Sequence, residues 1–252
     1  MSLLRAWVTL FWLSFRRLLW STSTLMVLLP MAGGTLFLLR RRYDLIGDYD
    51  RAFQLFSEFV IIVFVAFLVP ICALAYGTSS VGADREDRTL LFLLIRPIPR
   101  WLVLSAKVAA ALPLALGLVV LCFRLYCALA GPAGELAYQL FLPAVTYSTL
   151  AYLGLFHLFA VSLPHSTIVA LIYALFFEFL LGNMPGIVKR VAVNYYGRSL
   201  MYAVGATDGL QRPGWFEPIS VDAAGWTLAG IAVGSLLLAA IVFQFREYRD
   251  LT

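Results

Sequence analysis

Charged residues are scarce in this sequence. They make up 13% of its 252 residues, whereas soluble globular domains carry about a quarter. Hydrophobic residues make up 62% of the chain. A single soluble core of this size cannot bury so much apolar surface, so the excess must face lipid. The composition therefore excludes an ordinary soluble domain and predicts a membrane protein.

Cysteines and basic patches are also scarce, and their absence excludes several kinds of site. Cys72, Cys122 and Cys127 lie in or beside apolar stretches without metal-ligand spacing, which predicts small packed side chains rather than a metal site or disulfides. Basic residues outnumber acidic ones by 19 to 14 but form no dense patch of the kind that binds nucleic acid. The basic triplet at residues 40–42 follows an apolar run and is typical of a lipid-headgroup anchor. We therefore expect no metal and no nucleic-acid partner.

The apolar residues form six runs long enough to cross a lipid core of about 30 Å, which takes roughly 20 helical residues. The predicted spans are 21–39, 53–76, 101–123, 138–163, 166–184 and 223–245. Residues 1–19 place Leu and Trp at helical spacing with arginines on other faces, which predicts a helix lying in the membrane interface; the alternative is an extension of the first span. Arg16 and Arg17 interrupt this segment, so no cleaved signal peptide is expected. The predicted fold class is all-α, with residues 1–252 forming one polytopic membrane domain of six transmembrane helices.

Two less apolar segments, 77–100 and 185–222, lie between spans on opposite sides of the predicted membrane. An even number of spans places both termini on one side. If the segment 185–222 is left out, ten basic residues lie on the N-terminal side and five on the other, which favours a cytoplasmic N-terminus. With that segment included the count is ten against nine, which decides nothing.

The stretch GADREDRTLLFLLIRPIPRWLVLSAK, residues 82–107, is the most informative part of the sequence. Gly82 is expected to break the second span, and Asp84 to cap a new helix with Asp87 in the reciprocal position of a capping box. Pro97 is expected to end that helix. Spacing alone leaves two interpretations open: a short amphipathic helix with a function, or an ordinary structured loop.

The same stretch resembles the signature of the type-2 class of ABC transporter permeases, and most closely the branch described as copper-enzyme-maturation-like. The run DREDRTL, the Leu-Leu pair at 93–94, the Arg-Pro pair at 96–97, Arg100 and Lys107 occur in the order that this class shows. One departure is Arg88, where the family commonly has Gly, so a more regular helix is expected here.

This resemblance implies that the chain is the membrane permease subunit of an ABC transporter in the cell (inner or plasma) membrane. The helix between the second and third spans would be a coupling helix that docks on a separate cytoplasmic ATPase subunit. The predicted ATPase-contact residues are Asp84, Arg85, Glu86, Asp87, Arg88, Thr89, Leu90, Leu91 and Leu94. The resemblance also implies a second permease copy, as a homodimer, and transport in the direction of export. The chain has no Gly-x-x-x-x-Gly-Lys-Ser/Thr loop, so we expect ATP on the partner, and no cofactor or catalytic residue here.

Two other functions stay open at this point. A secondary transporter would need no ATPase, although we see no repeat relating the two halves of the chain. An intramembrane enzyme could use ionisable residues in the spans, of which Glu58, Arg124, His157 and Glu178 are the candidates. His157 and Glu178 are the conceivable base and orienter, but the chain has no His-Glu-x-x-His or Gly-x-Ser-x-Gly motif. A hydrogen bond between helices is the expected role of His157.

Overall fold

The computed structural model describes residues 3–41, 48–86, 98–180, 182, 184 and 188–246, and this part of the chain contains helices and loops but no strand. The helices are α1 (Leu3–Leu19), α2 (Thr22–Arg40), α3 (Tyr49–Phe59, continued by a π-helical segment Val60–Leu68 and by Val69–Glu86), α4 (Arg100–Ala130), α5 (Pro132–Ser162), α6 (Ser166–Ile172, continued by a π-helical segment Tyr173–Leu180), α7 (Val193–Gly205) and α8 (Val221–Phe245). Short 3₁₀ turns lie at Val188–Val191 and Ala206–Asp208.

Five of these helices, α2, α3, α4, α5 and α8, are long and apolar enough to cross a membrane. They confirm five of the six predicted spans and the all-α, multi-pass fold class. The predicted span 166–184 corresponds to α6, whose two parts have only 7 and 8 residues. A helix of that length spans about 23 Å, which is less than the lipid core of about 30 Å. The described part of α6, residues 166–180, is therefore shorter than a full span.

The N-terminal segment forms a helix of its own. α1 ends at Leu19, and a turn at residues 20–21 separates it from α2. The hydroxyls of Ser21 and Thr24 both donate to the carbonyl oxygen of Leu18, at 2.8 and 2.7 Å, and so satisfy the end of α1. The prediction of a separate N-terminal helix is confirmed, and its position in the membrane interface stays a prediction.

The predicted helix break at Gly82 is wrong. α3 continues through Gly82 and ends at Glu86, so Asp84 lies within the last turn of α3 and caps no new helix. The reason for glycine at this position is packing. A Cβ added to Gly82 would lie 2.9 Å from the hydroxyl oxygen of Ser166, at the start of α6. The missing side chain lets α6 approach α3, and this tertiary contact outweighs the helix-breaking tendency of glycine.

The ends of the described helices sort into two groups. The near end of the bundle, defined by Arg17, Asp84, Arg100 and Arg246, holds the junction of α1 with α2 and the last turns of α3, α5 and α8. The far end holds the start of α3, where the side-chain carbonyl of Gln54 accepts from the amide of Gln211 at 2.8 Å. The described N-terminal helix and the end of the last helix thus lie on the same side, as an even number of crossings requires.

α5 is the central helix and packs against α3, α4, α7 and α8. Its contact with α8 is made through backbone, because a Cβ at Gly154 would lie only 2.7 Å from the carbonyl oxygen of Ala232. Small residues allow helices in membranes to come this close and gain dispersion contacts. Gly154 therefore sets the distance between α5 and α8.

At the far end α7 is buried against α5 and α8, inside the predicted extracytoplasmic segment 185–222. Its N-terminus is held by Glu178 of α6, whose buried carboxylate accepts hydrogen bonds from the amides of Val193 and Asn194 at 3.0 and 2.8 Å. The hydroxyls of Tyr152 and Tyr173 donate to the same carboxylate at 2.6 and 2.7 Å. A carboxylate at the positive end of a helix is electrostatically favourable, so Glu178 anchors α7 to α6.

The α5–α8 contact generates a test of the fold. Gly154→Val should lower the free energy of unfolding by about 1–3 kcal/mol, because the new side chain meets backbone that cannot give way. Gly117→Val on α4 is the matched control, since nothing lies within 4 Å of a Cβ at that position. Thermal unfolding of the purified protein can be followed with a thiol-reactive dye that reports exposure of the buried cysteines. Equal midpoints for the two variants would contradict the close contact.

Candidate functional site: the charged near end of the helix bundle

A buried carboxylate joins three helices at the near end. Asp84 lies in the last turn of α3, and one of its oxygens accepts from the guanidinium of Arg17 on α1 while the other accepts from the ammonium of Lys107 on α4. Lys107 also donates to the backbone carbonyl of Ser80 at 2.7 Å. The side chains of Asp84 and Lys107 are buried, whereas that of Arg17 is 45% exposed. We call these three residues the Asp84 triad.

Sequence position explains why these charges meet. α3 ends and α4 begins at the near end, so the last turn of one helix lies beside the first turns of the other. Lys107 follows the start of α4 by two turns, which brings its long side chain level with Asp84. Burying either charge alone would be costly, and their pairing offsets much of that cost. Lys107 therefore extends into the protein, towards Asp84 and the carbonyl of Ser80.

α1 is attached to α4 as well as to α3. The indole Nε1 of Trp7 donates to the hydroxyl of Ser105 at 3.1 Å, and Trp7 lies almost three helical turns before Arg17. Contacts between α1 and α4 extend along the helix. A movement of α4 at the near end must therefore carry α1 with it.

Arginine side chains donate hydrogen bonds to backbone carbonyl groups at the C-terminal ends of helices. Arg85 donates to the carbonyl of Leu163 at 2.8 Å, and Arg246 donates to those of Val161 and Ser162 at the end of α5. Arg100 in turn donates to the carbonyl of Arg246 at 2.9 Å. The last carbonyls of a helix have no intrahelical partner and carry partial negative charge. A cationic side chain donates the missing hydrogen bonds and also balances that charge. These bonds join α3, α4, α5 and α8 into one unit.

The structure places two of the predicted ATPase-contact residues inside this unit. The side chains of Asp84 and Arg85 are buried and bind other parts of the chain. Glu86 is the last residue of α3, and its side chain lies outside the described part of the structure. The remaining predicted contacts also lie outside the described residues: Asp87, Arg88, Thr89, Leu90, Leu91 and Leu94. Their contact with an ATPase stays a prediction.

The sequence contains a pattern from which the Asp84–Lys107 pair can be predicted. Asp84 and Lys107 are charges of opposite sign at the facing ends of two consecutive apolar runs. In consecutive antiparallel helices such ends are neighbours, so the pair could have been predicted. Arg17 could not, because its approach depends on how α1 folds back along α4.

The ionisable residues considered for an enzyme are not brought together by hydrogen bonds. His157 Nδ1 lies 2.7 Å from the carbonyl of Leu153 in its own helix, so the expected bond between helices is wrong. Within the described chain His157 Nε2 has no partner, and the four donors to Glu178 are two tyrosines and two amides. Among the described residues, His157 and Glu178 therefore do not form the acid–base pair considered for an intramembrane enzyme.

The other candidates have local roles. Glu58 accepts from the side-chain amide of Gln54 one turn earlier at 2.7 Å, and Arg124 pairs with Glu135 across the α4–α5 turn at 2.5 Å. All three cysteines are buried and free, as predicted. Among the described residues, no group of three or more His, Cys, Asp and Glu side chains is placed to hold a metal ion.

The Asp84 triad generates a prediction about stability. Asp84→Asn should lower the free energy of unfolding by about 3–5 kcal/mol, because it leaves the ammonium of Lys107 buried without its carboxylate. Adding Lys107→Met should restore much of the loss, since both charges are then gone. Arg17→Gln is the control and should cost about 1 kcal/mol or less, because Arg17 is partly exposed. Additive effects of Asp84→Asn and Lys107→Met in thermal unfolding would show that the two side chains do not interact.

Comparison with known protein families places the chain in one family. A family model described as ABC-2 family transporter protein matches residues 15–242, a range that includes the whole Asp84 triad. No curated protein matches the chain significantly. The match does not distinguish branches of the family, so the copper-enzyme-maturation-like branch stays a prediction. A family of transporter proteins also agrees with a membrane permease rather than an enzyme. The chain therefore belongs to the ABC-2 family of transporter proteins.

Proposed function

We propose that this permease couples ATP hydrolysis by a separate cytoplasmic ATPase subunit to export of a substrate across the cell (inner or plasma) membrane. The segment 87–97, between α3 and α4, would be the docking element for the ATPase. The chain itself would bind no nucleotide or other cofactor.

The Asp84 triad is the observation that carries this proposal. It lies at the base of the segment 87–97, in the last turn of α3, and joins that turn to α1 and α4. A force applied to the segment by a docked partner would thus reach three helices through direct polar contacts. Such a rigid joint is what a coupling element requires, because a flexible loop would absorb the movement before the helices felt it.

The proposed complex contains two permeases and two ATPases. ATP binding would bring the ATPases together and shift the permease pair between inward-open and outward-open states. The translocation path would lie between the two permeases. We place faces of α2, α3 and α6 at the contact, where Leu29, Ile62 and Phe176 are among the exposed apolar side chains.

If the segment 87–97 docks the ATPase, substitutions beside it should weaken ATPase binding without affecting folding of the permease. Glu86→Ala with Asp87→Ala should weaken ATPase association or uncouple hydrolysis from transport, while expression and membrane insertion stay unchanged. Charge-assisted contacts are worth about 1.5–3 kcal/mol each, so co-purification of the ATPase should fall at least ten-fold. The copy ratio in the wild-type complex, measured by native mass spectrometry, should be two permeases to two ATPases.

A matched control is Asp208→Ala with Asp222→Ala, which removes two exposed carboxylates at the far end. This variant should retain the ATPase. If the Glu86 and Asp87 double variant also retains the ATPase and transports normally, the segment is a structured loop, and a secondary transporter becomes the better interpretation. A complex with a single permease per ATPase pair would contradict the paired arrangement.

The proposal also predicts which end of the bundle faces the cytoplasm. In intact cells an impermeant thiol reagent should label single cysteines placed at Asp48 and Asp208, and should label one at Asp87 only after permeabilisation. Asp48 and Asp208 are exposed at the far end, and the three native cysteines are buried, so background labelling should be low. Labelling at Asp87 but not at Asp48 in intact cells would reverse the orientation.

A further inference from the structure

A cavity of about 380 Å³ lies at the far end, away from the Asp84 triad and the segment 87–97. Its wall is formed by the turn Val188–Val191, by Tyr195 near the start of α7, and by residues 215–219 of the loop that leads to α8. Nothing in the proposed coupling to an ATPase uses this cavity.

Lys189 brings a positive charge to the cavity without a matching negative one. The residue is only 6% exposed, and its ammonium nitrogen lies 5.5 Å from the ring centre of Tyr195 and 5.4 Å from that of Phe216. In the described parts of the chain, no carboxylate lies within ion-pair distance of this nitrogen and no acceptor within hydrogen-bond distance. Aromatic faces attract a cation, but they offset only part of the cost of removing it from water.

The surroundings of the cavity are positive overall. Arg190 lies on the same wall of the cavity. Behind the wall, the guanidinium of the buried Arg198 lies 4.8 Å from the centre of the Phe216 ring, which Lys189 also contacts. One carboxylate, that of Glu217, also lines the cavity, and its residue is exposed. The hydroxyl of Tyr195 donates to the backbone carbonyl of Glu217 at 2.9 Å, which fixes the loop against α7. Two cations, Lys189 and Arg190, against one carboxylate on the cavity wall favour an anion as the ligand.

We propose that the Lys189 cavity binds a phosphate group, carried either by a phospholipid headgroup or by a soluble phosphate compound. The ammonium of Lys189 and the guanidinium of Arg190 would bind its oxygens. Lysine is a compact point charge that binds phosphate without a fixed geometry, while arginine adds directed donors.

The rim of the cavity is suited to lipid. Val188, Val191 and Trp215 are 48%, 62% and 44% exposed, so large apolar side chains surround a cationic interior. Tryptophan and short apolar segments are typical of the membrane interface, where phospholipid phosphates lie. A headgroup could therefore reach Lys189 while its acyl chains remained beside these side chains.

The test measures how far a bound phosphate group protects Lys189 of the wild-type protein from acetylation. The rate of acetylation at Lys189 is measured by mass spectrometry in nanodiscs of phosphatidylglycerol and in nanodiscs of digalactosyldiacylglycerol, which has no phosphate. A parallel series in detergent titrates inorganic phosphate. At ten times the Kd, about one tenth of the sites stay free, so the rate should fall about ten-fold. Protection in phosphatidylglycerol alone identifies a lipid headgroup, and protection by inorganic phosphate identifies a soluble ligand.

Variants separate binding from packing. Lys189→Met should weaken phosphate or phospholipid binding about ten-fold or more, and Lys189→Arg should retain it. Glu217→Gln should strengthen binding, because it removes the only carboxylate among the described residues of the cavity wall. Arg212→Met, which removes an exposed cation elsewhere at the far end, is the matched control and should bind normally.

Two results would overturn the proposal. One is an acetylation rate at Lys189 that is the same with and without phosphate in both series. The other is weaker binding in Glu217→Gln, since that would make Glu217 the partner of Lys189 instead of a competitor of the ligand. Both results are independent of the ATPase, so they leave the proposed coupling function untouched.

Discussion

The pairing of Asp84 with two cations is the constraint on which the near end depends. A carboxylate in the last turn of α3 must find positive charge, because a buried charge without a partner costs several kcal/mol. Lys107 and Arg17 supply it from α4 and α1, so three helices converge on one side chain. Arg85, Arg100 and Arg246 extend the same principle to the carbonyl groups that end α5 and α8. The near end is thus held by charge, whereas the middle of the bundle is held by close packing.

The spans were predictable because the lipid core imposes a length that the sequence has to show. Five apolar runs became helices of sufficient length, and their ends lie within a few residues of charged positions such as Arg40 and Arg100. The fifth predicted run was harder, since its composition is apolar but the two described parts of its helix, α6, have only 7 and 8 residues, and its buried carboxylate, Glu178, binds the start of α7. Hydropathy describes the free energy of transferring a side chain from water to lipid. It contains no information on which helix a polar side chain will bind.

The structure around Asp84 differs from the one that the sequence pattern predicted. Local rules assigned Gly82 as a break and Asp84 as a cap, and both assignments failed because they considered only neighbours in sequence. Gly82 accommodates Ser166, and Asp84 binds Lys107, contacts that join residues 84 and 23 positions apart in the chain. The resemblance to ABC transporter permeases identified the family that the chain belongs to, and the role of the segment 87–97 stays a prediction. Long-range contacts of this kind decide the local structure, and they cannot be read from the pattern of neighbouring residues in one sequence.

The anchoring of α7 has a consequence for biosynthesis. Tyr152 and Tyr173 precede Glu178 in the chain, so they are available to its carboxylate as soon as α6 leaves the ribosome. The amides of Val193 and Asn194 are made 15 and 16 residues later, and until then two of the four hydrogen bonds are missing. The hydrogen bonds to Glu178 are therefore complete only after the start of α7 has been translated, so the end of α6 and the start of α7 finish folding together.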